Sequence, residues 1–150
     1  MKNNFLYITL IFVLIAAVFI VGNIFVNDNF EREITKISFN DFVWKIEIVN
    51  NFKDRAKGLS GREYLEQRTG LLFVFDKKDF HGIWMKEMNF PIDIIWLDEE
   101  FRVTDIKSAA TPDSYPEVFK PKTKSLYVLE VNSGEVFESE IKIGDKLEAF

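Results

Sequence analysis

FHGIWMKEMNFPIDIIWLDEEFRVTDI, residues Phe80 to Ile106, is the stretch on which the fold turns. Its centre, IDIIWL (Ile92 to Leu97), is dense in β-branched and aromatic residues and reads as a strand. Pro91 has no N–H to give to a ladder, so it belongs at a strand start or edge. Asp98-Glu99-Glu100 reads as a turn, and FRVTDI returns as the hairpin partner. Upstream, GIWMK (Gly82 to Lys86) reads as a further short strand. The stretch also holds the only histidine, His81, and two of the three tryptophans, Trp84 and Trp96.

Towards the N-terminus the period-two pattern recurs. In FVWKIEIV, Phe42, Trp44, Ile46 and Ile48 point one way and Val43, Lys45, Glu47 and Val49 the other, as in a half-buried strand. Ile37 and Phe39 precede it across Asn40-Asp41, the arrangement of a hairpin. Asn50-Asn51 is placed to cap a helix over Asp54 to Leu59, which Gly58 and Gly61 keep short. LLFVF (Leu71 to Phe75) suits a strand buried on both faces. Asp76 to Asp79 reads as a charged turn.

Towards the C-terminus, Ser108 to Lys124 carries Pro112, Pro116 and Pro121 among polar residues and reads as a long loop. LYVLEV (Leu126 to Val131) is a strand. Ser133 is placed to cap a helical turn with Glu135 near its start. Gly144-Asp145 turns into a last strand. Seven to eight short strands against two short helices predict a mainly-β fold, a compact sandwich or partly closed barrel.

The first residues belong to another class. Phe5 to Val26 is 22 residues without a charge, enough for a membrane-spanning helix, which needs roughly 20. A cleaved signal peptide has a shorter apolar run and small residues at its cut, and no A-x-A-like site stands here. The expected organisation is an N-terminal transmembrane anchor over 1–27, a linker over 28–36 and a β domain over 37–150. The positive charges flanking the apolar run are nearly balanced. The short N-terminal tail favours a single-pass membrane protein with its domain extracytoplasmic.

With Lys2 set aside, 18 basic side chains face 24 acidic ones, a charge of −6. An acidic domain without Lys/Arg clusters among aromatics repels a phosphate backbone, so nucleic acid is not an expected partner. There is no cysteine, which removes disulfides, thiolate metal sites and a thiol nucleophile. With a single histidine and no H-x-x-x-H spacing, no metal or cofactor is expected.

Several ordered motifs carry a family resemblance. Arg55, Gly58-Leu59, Arg62 and Leu65 are followed by Gly70-Leu-Leu-Phe-x-Phe75, Trp84-Met-Lys, Asn89-x-Pro-Ile-Asp93, Tyr127-Val-Leu-Glu130 with Gly134, and Ile143-Gly-Asp145. This succession resembles the domain of unknown function 192 family over roughly residues 45 to 150. The resemblance implies a compact β domain, often behind a signal peptide or membrane anchor. It implies no activity, substrate or cofactor. Where the family usually has W-M-K-N-T, this chain has Trp84-Met-Lys-Glu87-Met88.

Asp93 is the most informative single residue. A carboxylate among isoleucines needs a partner if buried, and Arg55 or Arg62 could supply a bidentate one. Such a pair can be structural, fixing register, or can mark the bottom of a pocket. His81 beside Trp84 more often packs than catalyses. At least one of Trp84 and Trp96 belongs to the core, and an exposed indole could stack on a sugar or peptide. By default, Arg55, Arg62 and Arg68 read as a solvated basic face.

The expected ligand-binding surface is the cleft formed by Arg55, Arg62, His81, Trp84 and Asp93. The expected role is a ligand-binding or interaction module of the cell envelope, with a small molecule, sugar, peptide or envelope protein as partner. A second reading is an envelope hydrolase using Asp93 and Glu130 as acid and base with His81 assisting. A third is a structural partner of another membrane protein.

Overall fold

A computed structural model describes residues 35–150. The expected anchor over 1–27 and most of the expected linker lie outside the described residues. Among the described residues, no helix is long and apolar enough to cross a membrane.

The element order is β1 (Thr35–Phe39), β2 (Phe42–Val49), α1 (Phe52–Lys57), β3 (Thr69–Asp79), β4 (Ile83–Trp84), β5 (Ile92–Leu97), β6 (Val103–Ala110), a 3-10 turn (Pro112–Ser114), β7 (Val118–Phe119), β8 (Ser125–Asn132), α2 (Glu135–Glu138) and β9 (Glu148–Ala149). Thus the mainly-β reading holds, in a particular form. Seven strands make one sheet in the order β6-β5-β8-β3-β2-β1-β9, and β4 and β7 form a separate ribbon. The sheet curls into a half-barrel and does not form a sandwich. At one end its two edges meet. Arg102 bridges Lys146, and Leu147 N–H donates to Phe101 O at 2.9 Å just before β9 begins.

The curl gives the sheet two faces, each with its own core. Trp44, Ile46, Leu72, Ile95, Leu129 and Val131 pack inside the half-barrel. Leu71, Phe73, Ile94, Trp96 and Val128 pack outside it, beneath Leu59, Ile83 and two methionines. All six residues of β5 are buried because the strand is covered on both faces. Likewise β2 and β3 run parallel, which requires a crossover. The crossover carries α1, capped by Asn51 accepting from Asp54 N–H.

Four local expectations need correction. β3 continues through Asp79, so the charged stretch Asp76 to Asp79 is strand and not turn. GIWMK contributes only Ile83 and Trp84 to a ladder, paired with Val118 and Phe119. The proline-bearing stretch from Ser108 is not structureless; it holds the end of β6, the 3-10 turn and β7. Ser133 does not cap α2, because Gly134 takes the cap position in the left-handed conformation. The side-chain acceptor comes instead from β5. Asp93 accepts from Gly134 N–H at 2.9 Å and Val136 N–H at 3.0 Å through Oδ2. Its Oδ1 accepts from Ala109 N–H at 2.8 Å.

Asp93 is therefore buried, as expected of it, but its partners are three backbone amides and not an arginine. Ala109 lies where the β5–β6 register shifts and has φ +51°. One carboxylate thus ties a bulge in β6 to the start of α2. Glu135, the next residue, is also buried; it accepts Trp44 Nε1–H at 2.7 Å and Arg68 N–H at 2.8 Å. Asp93→Asn is expected to cost about 2–4 kcal/mol, since an amide group would face N–H donors where an oxygen now accepts. The exposed Glu63→Gln should shift stability by less than about 0.5 kcal/mol. Parallel chemical denaturation of the two variants checks the contrast.

Candidate functional site

Glu130 sits in the middle of β8, paired with Leu71 of β3 on one side and Ile94 of β5 on the other. Directly opposed residues in a sheet share a face, so its side chain lies on the outer face with Leu71 and Ile94. That face is apolar, and Glu130 is only 4% exposed. No described residue gives its carboxyl a hydrogen bond or an ion pair. Burial pushes its pKa up to about 8, against a smaller lowering by the charge of Arg62. At neutral pH it is a neutral carboxylic acid. An unpaired polar group in such a place costs a few kcal/mol of stability.

Above Glu130 opens a cavity of about 380 Å³. Phe52 and Arg55 of α1 form one wall, Phe73 and Phe75 of β3 another, and Trp84 of β4 with Val118 of β7 a third. Phe52, Trp84 and Val118 are all exposed and stand at its mouth. Where the ribbon closes this wall, a Cβ at Gly82 would lie 2.6 Å from Val118 Cγ1, so a larger residue there would displace the Val118 side chain.

The expected site residues divide between this cavity and other places. Arg55 and Trp84 line it. The Arg55 guanidinium donates to Asn50 O and, at 2.8 Å, to Val74 O. It also lies 3.9 Å from Asp76 and 5.0 Å over the Phe75 ring. Arg55 is therefore not part of a solvated basic face; its Nη1 is held by two backbone carbonyls of the fold. His81 stacks on the same Phe75 ring at 3.5 Å between centroids. Its Nε2 is 3.0 Å from Lys77 O, so the neutral ring carries its proton there. Burial lowers its pKa, outweighing the opposing effect of that carbonyl. The carbonyl of His81 accepts Trp96 Nε1–H at 2.8 Å. His81 thus supports the cavity wall from behind.

Arg62 lies one step away. It holds Glu47 at 2.6 Å, and the loop carrying it is fastened to the turn after β4. Gly61 N–H donates to Glu87 O at 2.8 Å, Ser60 Oγ–H to Lys86 O at 2.7 Å and Asn89 Nδ2–H to Arg62 O at 2.8 Å. Glu87 has φ +56°, a conformation that Asn tolerates better than Glu. The Glu-Met pair that departs from the resemblance thus falls at a strained turn, and Met88 adds an apolar side chain to the cavity lining.

Asp93 is not in this site. Val131 is its cross-strand partner, whereas Glu130 opposes Ile94. The two carboxylates therefore point to opposite faces of the sheet. The pairing of Asp93 with Glu130 as acid and base fails on this geometry. Glu130, which the sequence offered only as half of that pair, is the centre of the site. The signal available for it was a single acid in the otherwise apolar LYVLEV.

Comparison with known proteins adds the following. The profile of the DUF192 family, described as "Uncharacterized ACR", matches residues 34–149. The UPF0127 protein PH1112 of Pyrococcus horikoshii is 28% identical over 111 residues, 71% of this chain and 88% of the relative. A solved protein of unknown function from Novosphingobium aromaticivorans superposes with a TM-score of 0.70 at 29% identity, covering 77% of this chain and 83% of the other. A solved Sinorhizobium meliloti protein, described as a "putative transcription regulator", gives 0.70 at 25% identity over 77% and 91%.

The Glu130 acid links stability to pH with a definite sign. Its folded pKa lies above its ordinary value of 4.5, so between about 4.5 and 8 the folded state holds a proton that the unfolded state has lost. Stability from this group is intact below about pH 4.5, falls as pH rises, and levels off above about 8. Glu130→Gln should remove that component. The variant's advantage over the parent should grow through this window to a few kcal/mol, as read by denaturant midpoints at several pH values.

Proposed function

The chain belongs to the DUF192 family, and on that premise we propose that its folded domain is a binding module for a small ligand with an apolar body, held in the cavity over Glu130. The observation that carries this reading is the acid itself. Among the described residues Glu130 has no hydrogen-bond or ion-pair partner, yet it lies against an apolar cavity of ligand size. A concave apolar site with one convergent polar group is the usual form of a small-molecule pocket, and a strongly perturbed acid in a cleft marks a functional position. Arg55 and Trp84 act as wall and rim, His81 as support, and Arg62 as the charge that moderates the acid.

In the same reading the uncharged run Phe5 to Val26 anchors the chain in the cell membrane and the domain faces outward. The binding module would then meet ligands in the envelope. Catalysis is the weaker alternative, because a neutral acid can act as a general acid but Asp93 is not available as its partner. The role named for the Sinorhizobium protein is not carried over as contact with DNA, since this chain has a net charge of −5 and a basic surface is what such contact needs.

Intrinsic fluorescence gives a direct test. Trp44 and Trp96 are fully buried and Trp84 is 48% exposed at the cavity mouth, so Trp84 is the solvent-sensitive reporter. A fragment library titrated into the full-length chain is expected to yield ligands that blue-shift the emission and raise the thermal midpoint with concentration. Trp84→Ala should lose the shift and weaken binding about tenfold, roughly 1.4 kcal/mol. A library with no such ligand for the well-folded chain counts against the binding module and favours the protein-partner role.

A further inference from the structure

We propose that the ligand of this cavity is a small organic amine, its ammonium group seated on Glu130 and its apolar body against the aromatic walls. This deepens the binding reading and rests on it. Three features of the site select the charge. First, the buried acid has no hydrogen-bonding partner among the described residues and lines the cavity, so a ligand donor is the group that would satisfy it. Second, each of the two nearby arginines already holds an acceptor of the fold. Arg55 is engaged by Asn50 O, Val74 O and the Phe75 ring, and Arg62 by Glu47. Lys57 lines the same cavity and is exposed. Third, Phe52, Phe73, Phe75 and Trp84 surround the space, and aromatic faces attract a cation once it is desolvated. The net negative charge of the chain adds a field of the right sign.

The charged groups around Glu130 are few. Arg62, paired with Glu47 of β2 on the same face, acts on it from the loop after α1, and Arg55 and Lys57 approach from α1 itself. Its sheet neighbours Leu71 and Ile94 are uncharged, as are Trp84 and Val118 from the ribbon. An arriving ammonium therefore becomes the dominant charge at the acid and drives it to ionise. The proton leaves Glu130 for solvent, the amine keeps its own, and a charge-assisted hydrogen bond forms. Because burial raises the pKa of the empty-cavity acid to about 8, binding at pH 7 should release between about half and one proton per ligand.

The test compares three molecules with one aromatic body: phenethylammonium, phenethyl alcohol and 3-phenylpropionate. Calorimetry is run on the full-length chain in zwitterionic lipid nanodiscs at pH 7, in two buffers of different ionisation enthalpy, with empty nanodiscs subtracted. The ammonium is expected to bind at least about tenfold tighter than the alcohol, as one charge-assisted contact allows, with the buffer dependence of proton release. Glu130→Gln keeps a neutral hydrogen-bonding group of the same shape and removes a source of strain, so it should fold. In that variant the ammonium should lose its advantage and its proton release, while the alcohol changes less than about threefold. An alcohol or carboxylate that binds as well as the ammonium overturns the amine and leaves the cavity reading standing. Ammonium binding that is blind to Glu130→Gln also overturns the amine. Failure of all three to bind removes both.

Discussion

The carboxylate of Asp93 holds together the parts on which the rest of the domain depends. It gathers three amides from two places far apart in sequence, the bulge at Ala109 and the start of α2 at Gly134 and Val136. Both sit on the inner side of the half-barrel. Because side chains alternate along a strand, fixing Asp93 inward also fixes Ile94 outward, and with it the row Leu71–Glu130–Ile94 that crosses three strands. A slip of one residue in β5 would move the acid of β8 against a different neighbour and bring Asp93 to the apolar outer face. The register of the candidate site is therefore set by an interaction on the other side of the sheet. Gly70 has a related part in β3. A Cβ there would lie 2.8 Å from the carbonyl oxygen of Glu130, so only glycine lets the two strands close at that level.

The site combines polar groups that are satisfied with one that is not. Around the cavity, Arg55, His81 and Trp96 find backbone carbonyls, and Arg62 finds Glu47. Buried polar groups are normally paired in this way. Among the described residues the Ser125 hydroxyl is also buried without a partner, but Glu130 is the unpaired group that lines the cavity. The same contrast explains why it stays neutral near pH 7. Its neighbours hold their charges through direct contacts, whereas Arg62 acts on it only from a distance.

Much of the fold was legible in the sequence where one physical pattern prevailed. The alternation in FVWKIEIV and the β-branched density of IDIIWL correspond to β2 and β5. Legibility failed where tertiary pairing overrode local composition. Asp76 to Asp79 looks like a turn by charge, yet Asp79 pairs with Ser125 of β8 across a register shift, and extended backbone wins. The proline-bearing segment conceals β7 because a two-residue strand has no period to read. In the site, Asp93 was legible as buried but not by partner, since backbone amides leave no mark in the spacing of charged residues. Arg55 and Trp84 line one cavity, and Glu130 was assigned the wrong companion because parity between strands depends on register that one sequence does not state.

The joining of the two sheet edges has a consequence for how copies of this chain behave towards each other. A free strand edge is a template for another chain. Here the start of β6 is met by the segment before β9, Asp105 of β6 takes the Lys122 N–H of the loop beside it at 2.7 Å, and β9 itself is only two residues long. Little straight, unpaired backbone is left to recruit a neighbour. Crowding many such domains onto one surface would therefore raise their local concentration without offering an easy route to cross-β aggregation.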